Sequence, residues 1–384
     1  MKVKLSDAFD LQMGKTPTRN DKECWGKGHK WISIGDIGNT GKYISTTKEE
    51  ITDAGISRSG IKVVPKGTVI MSFKLSIGKT AITAEDMYTN EAIMAFINKG
   101  KYEIDTDYLY HMCKGIDWFE GTNKAVLGLT LNKATMSEKE IEIPPLEVQL
   151  QVVAVLDKMD ELIALRKEQL VKLDQLVKSR FIELFGDPSS NPMGWEDTTV
   201  GAECYYIKDG PHKSLPDVGE GNGYPFISVR NIVNGYIDFS TAKYISEQDY
   251  HDSIKKCHPQ KGDMLYSKGG TTGIAKLIDV DVEFANWVHV AVLKFDDTLN
   301  GVFFENMLNC DYCYDQSQRL TKGIANRDLV LSAMAQIKMY KPPLELQEKF
   351  AAFVEQTDKS KLAIQQSLDK LELLKKSMMQ EYFG

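Results

Sequence analysis

Pro144-Pro145-Leu146-Glu147-Val148-Gln149 begins a stretch, closing at Gly186, that the chain contains twice. The opening returns as Pro342-Pro343-Leu344-Glu345-Leu346-Gln347, and the close, Glu183-Leu184-Phe185-Gly186, returns as Glu381-Tyr382-Phe383-Gly384. Both ends are separated by 198 residues, so the two copies match in length without a gap. Proline is favoured at the start of a helix and glycine just after its end. Each copy is therefore predicted to form one long helix.

Apolar residues recur along each copy at alternating steps of four and three, which is typical of a coiled-coil seam. The first copy has Val152, Leu156, Met159, Ile163, Leu170, Leu173 and Val177, with Arg166 as a polar interruption. The second has Phe350, Val354, Ile364, Leu368 and Leu371, with Thr357, Lys361 and Lys375 at the remaining seam positions. A helix of about 38 residues is roughly 57 Å long and needs a partner along its length. The nearest candidate is the other copy, and a pair that holds two domains at opposite ends is antiparallel.

The residues before each helix form two related, strand-rich segments. In the first, residues 30–37, 67–73 and 92–97 have strand composition, and residues 108–113 are expected to begin a helix. In the second, residues 226–232 repeat residues 31–37, and residues 262–267 repeat residues 67–72, both at an offset of 195. Residues 187–192 are rich in turn formers and predict a linker.

These patterns predict an α+β fold with a pseudo-two-fold internal repeat. Two similar mixed α/β, strand-rich domains are joined by two long helices that form an antiparallel coiled coil. The predicted boundaries are residues 1–143 for the first domain, 144–186 for the first helix, 187–341 for the second domain and 342–384 for the second helix.

The composition indicates a cytoplasmic protein without a membrane segment. No apolar run approaches the ~20 residues that span a bilayer, and residues 1–7 lack the apolar core of a signal peptide. Six cysteines are scattered singly except for Cys310-x-x-Cys313, which has no second pair or nearby histidine cluster to complete a zinc site. Reduced structural thiols are the better interpretation.

The net charge of −7 argues mildly against a nucleic-acid partner, because phosphate binding needs lysine and arginine. Neither domain nor helix is strongly basic by itself. Any DNA-binding surface must therefore be a local concentration of basic and polar side chains within a neutral or acidic domain.

Two sequence patterns suggest catalysis, but neither carries the residues that catalysis needs. Gly78-Lys79-Thr80 looks like the end of a phosphate-binding loop, but Phe73 stands where that motif requires glycine. Residues 191–195 are similar to the Asn-Pro-Pro-aromatic motif of DNA amino-methyltransferases, but they lie in the linker and are interpreted as a turn. The six histidines have no metal-ligand spacing, and no Ser-His-Asp set can be assembled. The chain is predicted to be non-enzymatic.

The duplicated plan resembles the specificity subunit of Type I restriction-modification systems over essentially the whole chain. The resemblance rests on the paired helices and on short motifs in matched order: Gly14-Lys15-Thr16-Pro17 and Asp209-Gly210-Pro211-His212-Lys213, an Ile-Ser-Ile/Val strand, and glycine-rich residues 76–80 and 268–273. It implies two target-recognition domains, each reading one half of an asymmetric, split site in double-stranded DNA. It also implies that the helices hold methyltransferase subunits, expected to be two, and that restriction-translocase subunits join for cleavage. S-adenosylmethionine and ATP are expected on those partners and no cofactor on this chain.

Side chains that can read base edges or hold phosphates cluster in matched loops of the two domains. In the first domain the candidates are Lys15, Thr16, Arg19, Lys74, Ser76, Lys79, Thr80 and Asn90. In the second domain they are His212, Lys213, Arg230, Asn231, Lys268, Thr271, Thr272, Asn286 and His289.

Two other functions remain open from the sequence. One is a coiled-coil scaffold whose domains bind protein surfaces and not DNA. The other is the specificity module of a related Type II restriction-methyltransferase; a chain that begins at Met1 and carries a complete duplicated plan counts against such a fragment.

Overall fold

The structure of the protein is a computed structural model that describes residues 1–38, 41–74, 76–119, 131–324 and 326–384. The chain forms two compact units, unit 1 (Met1–Lys167 with Gln365–Gly384) and unit 2 (Glu168–Ile364). The predicted boundaries treated each long helix as a separate segment. In the structure, each unit contains one domain together with about half of each long helix. The reason is that the apolar ends of the helices belong to the domain cores.

Unit 1 contains ten strands within its described residues: β1 (Lys2–Lys4), β2 (Phe9–Met13), β3 (Trp25–Ile32), β4 (Tyr43–Ile44), β5 (Glu49–Ile51), β6 (Val69–Ser72), β7 (Thr80–Thr83), β8 (Tyr88–Thr89), β9 (Ile93–Asn98) and β10 (Glu140–Glu142). Its short helices are α1 (Leu5–Ala8), α2 (Ile34–Ile37), α3 (Asp53–Ser59), α4 (Thr106–Gly115) and α5 (Lys133–Glu138), with a 3-10 helix at Lys22–Cys24. The first long helix, α6, spans Leu146–Phe185 and continues into unit 2.

The strands of unit 1 form a five-stranded sheet in the order β2-β9-β6-β7-β4, a three-stranded sheet β5-β3-β8 and the pair β1-β10. The strands predicted at residues 67–73 and 92–97 are confirmed as β6 and β9, and α4 contains the predicted helical residues 108–113. The strand predicted at residues 30–37 is wrong in its second half, because β3 ends at Ile32. The backbone N–H and hydroxyl of Ser33 donate to Asp36 at 2.8 and 2.6 Å and start α2 there.

Unit 2 has strands β11 (Glu196–Thr199), β12 (Cys204–Asp209), β13 (Tyr224–Ile227), β14 (Lys243–Ile245), β15 (Met264–Ser267), β16 (Ala275–Leu277), β17 (Ala285–Asn286), β18 (Val290–Phe295) and β19 (Lys338–Lys341). Its helices are α7 (Val200–Glu203), α8 (Glu247–Lys256), α9 (Gly301–Asn309), α10 (Asp311–Leu320) and α11 (Leu331–Met334), with a 3-10 helix at Val229–Asn231. The second long helix, α12, spans Leu344–Phe383. The sheets are β12-β18-β15-β16, β14-β13-β17 and β11-β19.

The two units repeat the same backbone bonds where the sequence repeats. The Ser72 hydroxyl accepts from the Lys79 amide at 3.1 Å, and the Ser267 hydroxyl accepts from the Ile274 amide at 2.8 Å. In each hairpin the turn ends with a glycine at positive φ, +88° at Gly78 and +90° at Gly273. Glycine adopts this conformation without steric cost, which explains why these positions match at an offset of 195 while the residues between them differ.

Each long helix has 40 residues, begins directly after its proline pair and ends before its glycine. At 1.5 Å per residue each is roughly 60 Å long. The glutamine of each repeated opening is fully buried and bonds the neighbouring domain: Gln149 accepts from the Asp105 amide at 2.9 Å, and Gln347 accepts from the Asn300 amide at 2.8 Å. Because both amides begin a helix, the repeated glutamine fastens each long helix to α4 or α9.

The long helices pack together in antiparallel fashion within each unit. In unit 1 the first half of α6 lies beside the last half of α12, where Lys167 pairs with Glu372 at 2.8 Å and Asp160 pairs with Lys375. In unit 2 the last half of α6 lies beside the first half of α12, where the rings of Phe181 and Phe350 are 5.4 Å apart. The antiparallel arrangement predicted from the sequence is confirmed.

All twelve apolar seam residues are buried or half-buried, from fully buried Leu156 and Phe350 to half-buried Leu173. The polar seam positions are also partly covered; Lys361 reaches across to Asp174 at 2.7 Å. No helix in the described ranges is long and apolar enough to cross a membrane.

Candidate nucleic-acid interface

In unit 1, polar loops meet at one end of the five-stranded sheet. The chain after β2 bonds the turn before β9, where the Lys15 amide donates to Thr89 O at 2.9 Å. The hairpin after β6 bonds the same turn, where the Phe73 amide donates to Ala92 O at 2.9 Å. Antiparallel pairing of β2 with β9 and of β9 with β6 places these loops at the same end of the three strands. We call this end of the sheet, with its loops, the common edge.

This edge presents exposed Lys15, Lys74, Ser76 and Lys79. The Lys15 ammonium donates to Ser59 O at 3.1 Å, and the Lys74 ammonium lies 5.2 Å from the Phe73 ring. No carboxylate of the described residues forms an ion pair with any of the three lysines. They remain able to bind phosphate. Thr16 also lies at this edge and donates to Glu91.

Three other predicted residues of unit 1 have structural partners. Arg19 pairs with Glu49 at 2.6 Å and lies 4.1 Å from the Trp25 ring, so it belongs to the three-stranded sheet and not to the common edge. Thr80 is 8% exposed and donates to Gly78 O at 3.0 Å. The Asn90 side chain accepts from the Ala92 amide at 3.0 Å and closes the turn before β9.

In unit 2 the corresponding edge contains a cleft of about 710 Å³. It is lined by residues 228–230, 269–271 and 326–328 together with Trp287 and His289. The rings of Trp287 and His289 meet edge to face at 4.7 Å. The structure thus brings together the predicted residues Arg230, Thr271 and His289 on one concave surface.

Lys268 lies beneath this cleft and is only 5% exposed. Its ammonium is 2.9 Å from Asp328 and 3.4 Å from Asp209, so its charge is compensated within the protein. The Lys268 amide donates to His289 O at 2.8 Å, which is the bond that Phe73 makes to Ala92 in unit 1. The lysine is therefore part of the fold and does not face a ligand.

Four predicted residues of unit 2 are buried and are corrected here: Asn231 (1% exposed), Lys268, Thr272 (2%) and Asn286 (0%). The Asn231 amide group donates to Asp238 O at 3.0 Å, that of Asn286 donates to Val290 O at 2.7 Å, and the Thr272 hydroxyl is 2.9 Å from that of Thr321. A side chain this buried reaches no base edge without rearrangement of the backbone. These four are best explained as polar residues that fix loop geometry.

His212 and Lys213 are exposed but lie outside the cleft. The cleft is also lined by Trp287, Asn326 and Arg327, which were not among the residues predicted from the sequence to bind DNA. Residues 322 and 328 form an isolated β-bridge, and residue 328 bridges Gly269 as well. This folding brings Arg327 to the glycine-rich residues 268–273, although no local pattern in residues 322–328 predicts it.

The family described as Type I restriction modification DNA specificity domain matches residues 1–175 and again residues 195–373. The chain belongs to this family.

Relatives of this family match nearly the whole chain. The Type I restriction enzyme MjaIX specificity subunit of Methanocaldococcus jannaschii is 25% identical over 92% of this chain and 85% of its own length. The Type I restriction enzyme EcoprrI specificity subunit of Escherichia coli is 22% identical over 92% and 86%.

Two solved structures share the fold of this chain. A chain from a study of complex assembly and conformational transition of the type I R-M system has a TM-score of 0.64 at 18% identity and covers 100% of this chain and 97% of its own. The S subunit of the Type-I restriction-modification system from M. genitalium has a TM-score of 0.57 at 16% identity, with 100% and 96% covered. At these identities the likeness concerns the fold alone.

The described residues contain no group of histidine, cysteine and acidic side chains that could hold a metal ion. All six cysteines are free. Burial raises the pKa of the Cys204 thiol to about 12, which makes it a poor nucleophile.

Proposed function

We propose that the chain is the sequence-specific DNA-binding subunit of a Type I restriction-modification complex and reads a split site whose two halves differ. The observation that carries this proposal is the common edge found in both units. The backbone bonds at this edge are repeated, while the side chains that it exposes are different. The chain belongs to a family whose description names DNA specificity, and this supports DNA as the ligand of the shared edge.

The difference between the edges supports an asymmetric site. Unit 1 exposes lysines, whereas unit 2 exposes two arginines beside an aromatic pair. Lysine offers a point charge, whereas arginine offers a planar fork that can read a base edge. Two edges with different donors select different half-sites.

The long helices supply the surface for partner subunits. Large apolar residues stay exposed on both halves of α6 and on α12, outside the seam: Val148, Val155, Leu165, Val171, Leu176, Ile182, Leu362, Leu373 and Leu374. Exposed apolar residues in such number favour a protein interface. We assign it to methyltransferase subunits, expected to be two, with restriction-translocase subunits joining the assembly in the cytoplasm. S-adenosylmethionine, ATP and the chemistry belong to those partners, and this chain is non-catalytic.

DNA binding is tested with the full chain in complex with its methyltransferase subunits. Lys79→Ala is compared with Lys66→Ala, an exposed lysine before the opposite end of β6. Loss of one phosphate contact at Lys79 reduces the slope of log K against log salt by about one, whereas Lys66→Ala leaves the slope unchanged. Equal slopes for both variants and the wild type would remove the unit 1 edge from the interface.

Subunit assembly is tested by co-purification. Leu165→Glu and Leu373→Glu place a charge on the apolar surface of unit 1 and should abolish retention of the methyltransferase, because burying an unpaired carboxylate is costly. Met193→Glu is the control, because Met193 is a turn residue of unit 2 whose exposure lies between those of Leu165 and Leu373. Full retention by both helix variants would contradict this docking surface.

A further inference from the structure

The cleft of unit 2 carries two guanidinium groups whose partners are neutral. The Arg230 side chain donates one hydrogen bond to Thr241 O at 3.0 Å, and the Arg327 side chain donates one to Gln318 Oε1 at 2.5 Å. No carboxylate of the described residues forms an ion pair with either group. Since a guanidinium has five N–H donors, each side chain retains four for a ligand, and both side chains are exposed.

The arginines of the first domain are used differently. Arg19 pairs with Glu49 at 2.6 Å, and Arg58 pairs with Asp21 at 2.5 Å. The residue that matches Arg230 at the offset of 195 is Gly35. Both arginines of the first domain are therefore paired with carboxylates, and the first domain has no counterpart of the two cleft arginines.

The one carboxylate among the residues that line the cleft is already engaged, because Asp328 holds the Lys268 ammonium at 2.9 Å. The Ser228 hydroxyl donates to the Asn231 side chain at 2.8 Å and can still accept, but the two guanidinium groups outnumber it as donors. The cleft thus offers a ligand more donors than acceptors. In the major groove guanine presents two acceptors, N7 and O6, whereas adenine presents one acceptor and one donor and cytosine presents a donor.

We propose that Arg230 and Arg327 read guanine in the half-site contacted by unit 2, an assignment that rests on the proposed function. A base edge suits this surface better than a phosphate does. Lys268, which lies beneath the cleft, is turned inward to Asp209 and Asp328 and offers no point charge to a phosphate. Gly269 and Gly270 line the same cleft as the two arginines. An added Cβ at Gly269 would meet the His289 ring, whereas at Gly270 it would meet nothing within 4 Å. The open space at Gly270 gives a base edge room to enter the cleft.

The test begins with the recognised sequence, mapped by sequencing methylated bases in DNA modified by the wild-type complex. The half-site read by unit 2 should contain a G·C pair. Arg230→Ala and Arg327→Ala should each reduce discrimination at a guanine position of that half about tenfold to a hundredfold, without relaxing the other half. Arg319→Ala is the matched control, because Arg319 is an exposed arginine of the same unit that lies outside the cleft.

Two further measurements distinguish base reading from phosphate binding. Arg230→Lys and Arg327→Lys keep the charge but lose the planar fork, so they should keep non-specific affinity and lose guanine discrimination. Replacing that guanine by 7-deazaguanine, which lacks the N7 acceptor, should weaken wild-type binding about tenfold and affect the alanine variant of the reading arginine little. Circular dichroism and thermal melting confirm that each variant is folded.

A half-site of unit 2 without guanine would overturn the inference. So would arginine variants that weaken binding to all sequences equally and lower the salt slope by about one, since that is the behaviour of a phosphate contact. In both cases the wild-type complex still binds a split site, and the proposed function stands. A wild-type complex without sequence preference would overturn both.

Discussion

Phe73 in unit 1 and Lys268 in unit 2 lie at the same point of two matching backbones. Each follows the strand that begins the hairpin, and each amide bonds the chain before the next long strand, at 2.9 Å in unit 1 and 2.8 Å in unit 2. Phe73 is 1% exposed in an apolar cluster, whereas Lys268 is 5% exposed between two carboxylates. The repeat has kept the backbone and replaced an apolar contact by a charged one.

The difference between Phe73 and Lys268 shows which features of the repeated hairpin the fold requires. The hairpin needs the serine hydroxyl that caps it and the glycine at positive φ that closes it, and both units have them. The residue after the serine, Phe73 in unit 1 and Lys268 in unit 2, needs only neighbouring side chains that suit its own chemistry. Unit 2 supplies such neighbours in Asp209 and Asp328, and Asp328 also lines the cleft together with arginine and aromatic side chains.

The largest expected effect comes from removing the difference altogether. Replacing residues 195–341 by a copy of residues 1–143 gives a chain with two identical edges. The recognised site should change from two unlike halves to an inverted repeat, because two-fold symmetric readers bind palindromic sites. Methylome mapping of the swapped chain with its methyltransferase measures this directly. A recognised site that stays asymmetric would contradict the assignment of one half-site to each unit.

The second prediction concerns the residues at the matched position. Phe73→Ala should lower the free energy of unfolding by about 3–5 kcal/mol through loss of packing. Lys268→Met should cost less, roughly 2–3 kcal/mol, because Asp328 is 41% exposed and Asp209 keeps a second partner in Lys256 at 2.8 Å. Hydrogen exchange followed separately in each unit measures both effects.

Adding Asp328→Asn to Lys268→Met provides the control for this prediction. The double variant should recover part of the lost stability, because it removes an unpaired carboxylate. A double variant less stable than Lys268→Met alone would show that the ion cluster does not explain the buried lysine.

The smallest expected effect is a difference in acid sensitivity between the units. His111 in α4 is fully buried and bonds Asp157 of α6 at 2.6 Å, and Lys42 bonds the same carboxylate at 2.8 Å. At the matched place, 195 residues on, α9 has Asn306. Asparagine does not titrate, so only unit 1 has this buried histidine.

The pKa shifts of His111 and Asp157 both make unit 1 less stable as the pH falls. Burial lowers the pKa of His111. Burial alone raises the pKa of Asp157, but its bonds to Lys42 and His111 outweigh that effect and lower it. Both groups bind protons more readily in the unfolded chain. Unit 1 therefore loses stability as the pH falls, first below the ordinary histidine value of about 6.5 and again below about 4.

His111→Asn should flatten the upper part of this pH dependence and leave unit 2 unchanged. Hydrogen exchange in each unit between pH 7 and pH 5, corrected for the intrinsic exchange rate, measures the change. The same loss of protection in the variant and the wild type would show that His111 does not cause it.

The sequence by itself determined the repeat and the two long helices with their ends. These follow from patterns that are local or strictly periodic: proline pairs, closing glycines and a seam with steps of four and three. The seam fits a parallel or an antiparallel pair, and the antiparallel prediction rested on placing the two domains at opposite ends of the pair. The glutamine of Pro-Pro-Leu-Glu-x-Gln was visible as a repeated residue, but only the tertiary structure gave its reason, the buried bonds to Asp105 and Asn300.

The tertiary structure alone decided which polar residues face outward. Lys268 and Lys79 look equivalent as lysines of glycine-rich loops, yet one is buried between Asp209 and Asp328 and the other is exposed. The cleft likewise joins Arg230 to Arg327, which are far apart in the chain. Burial and charge compensation depend on contacts between distant segments, and such contacts leave no periodic signal in the sequence.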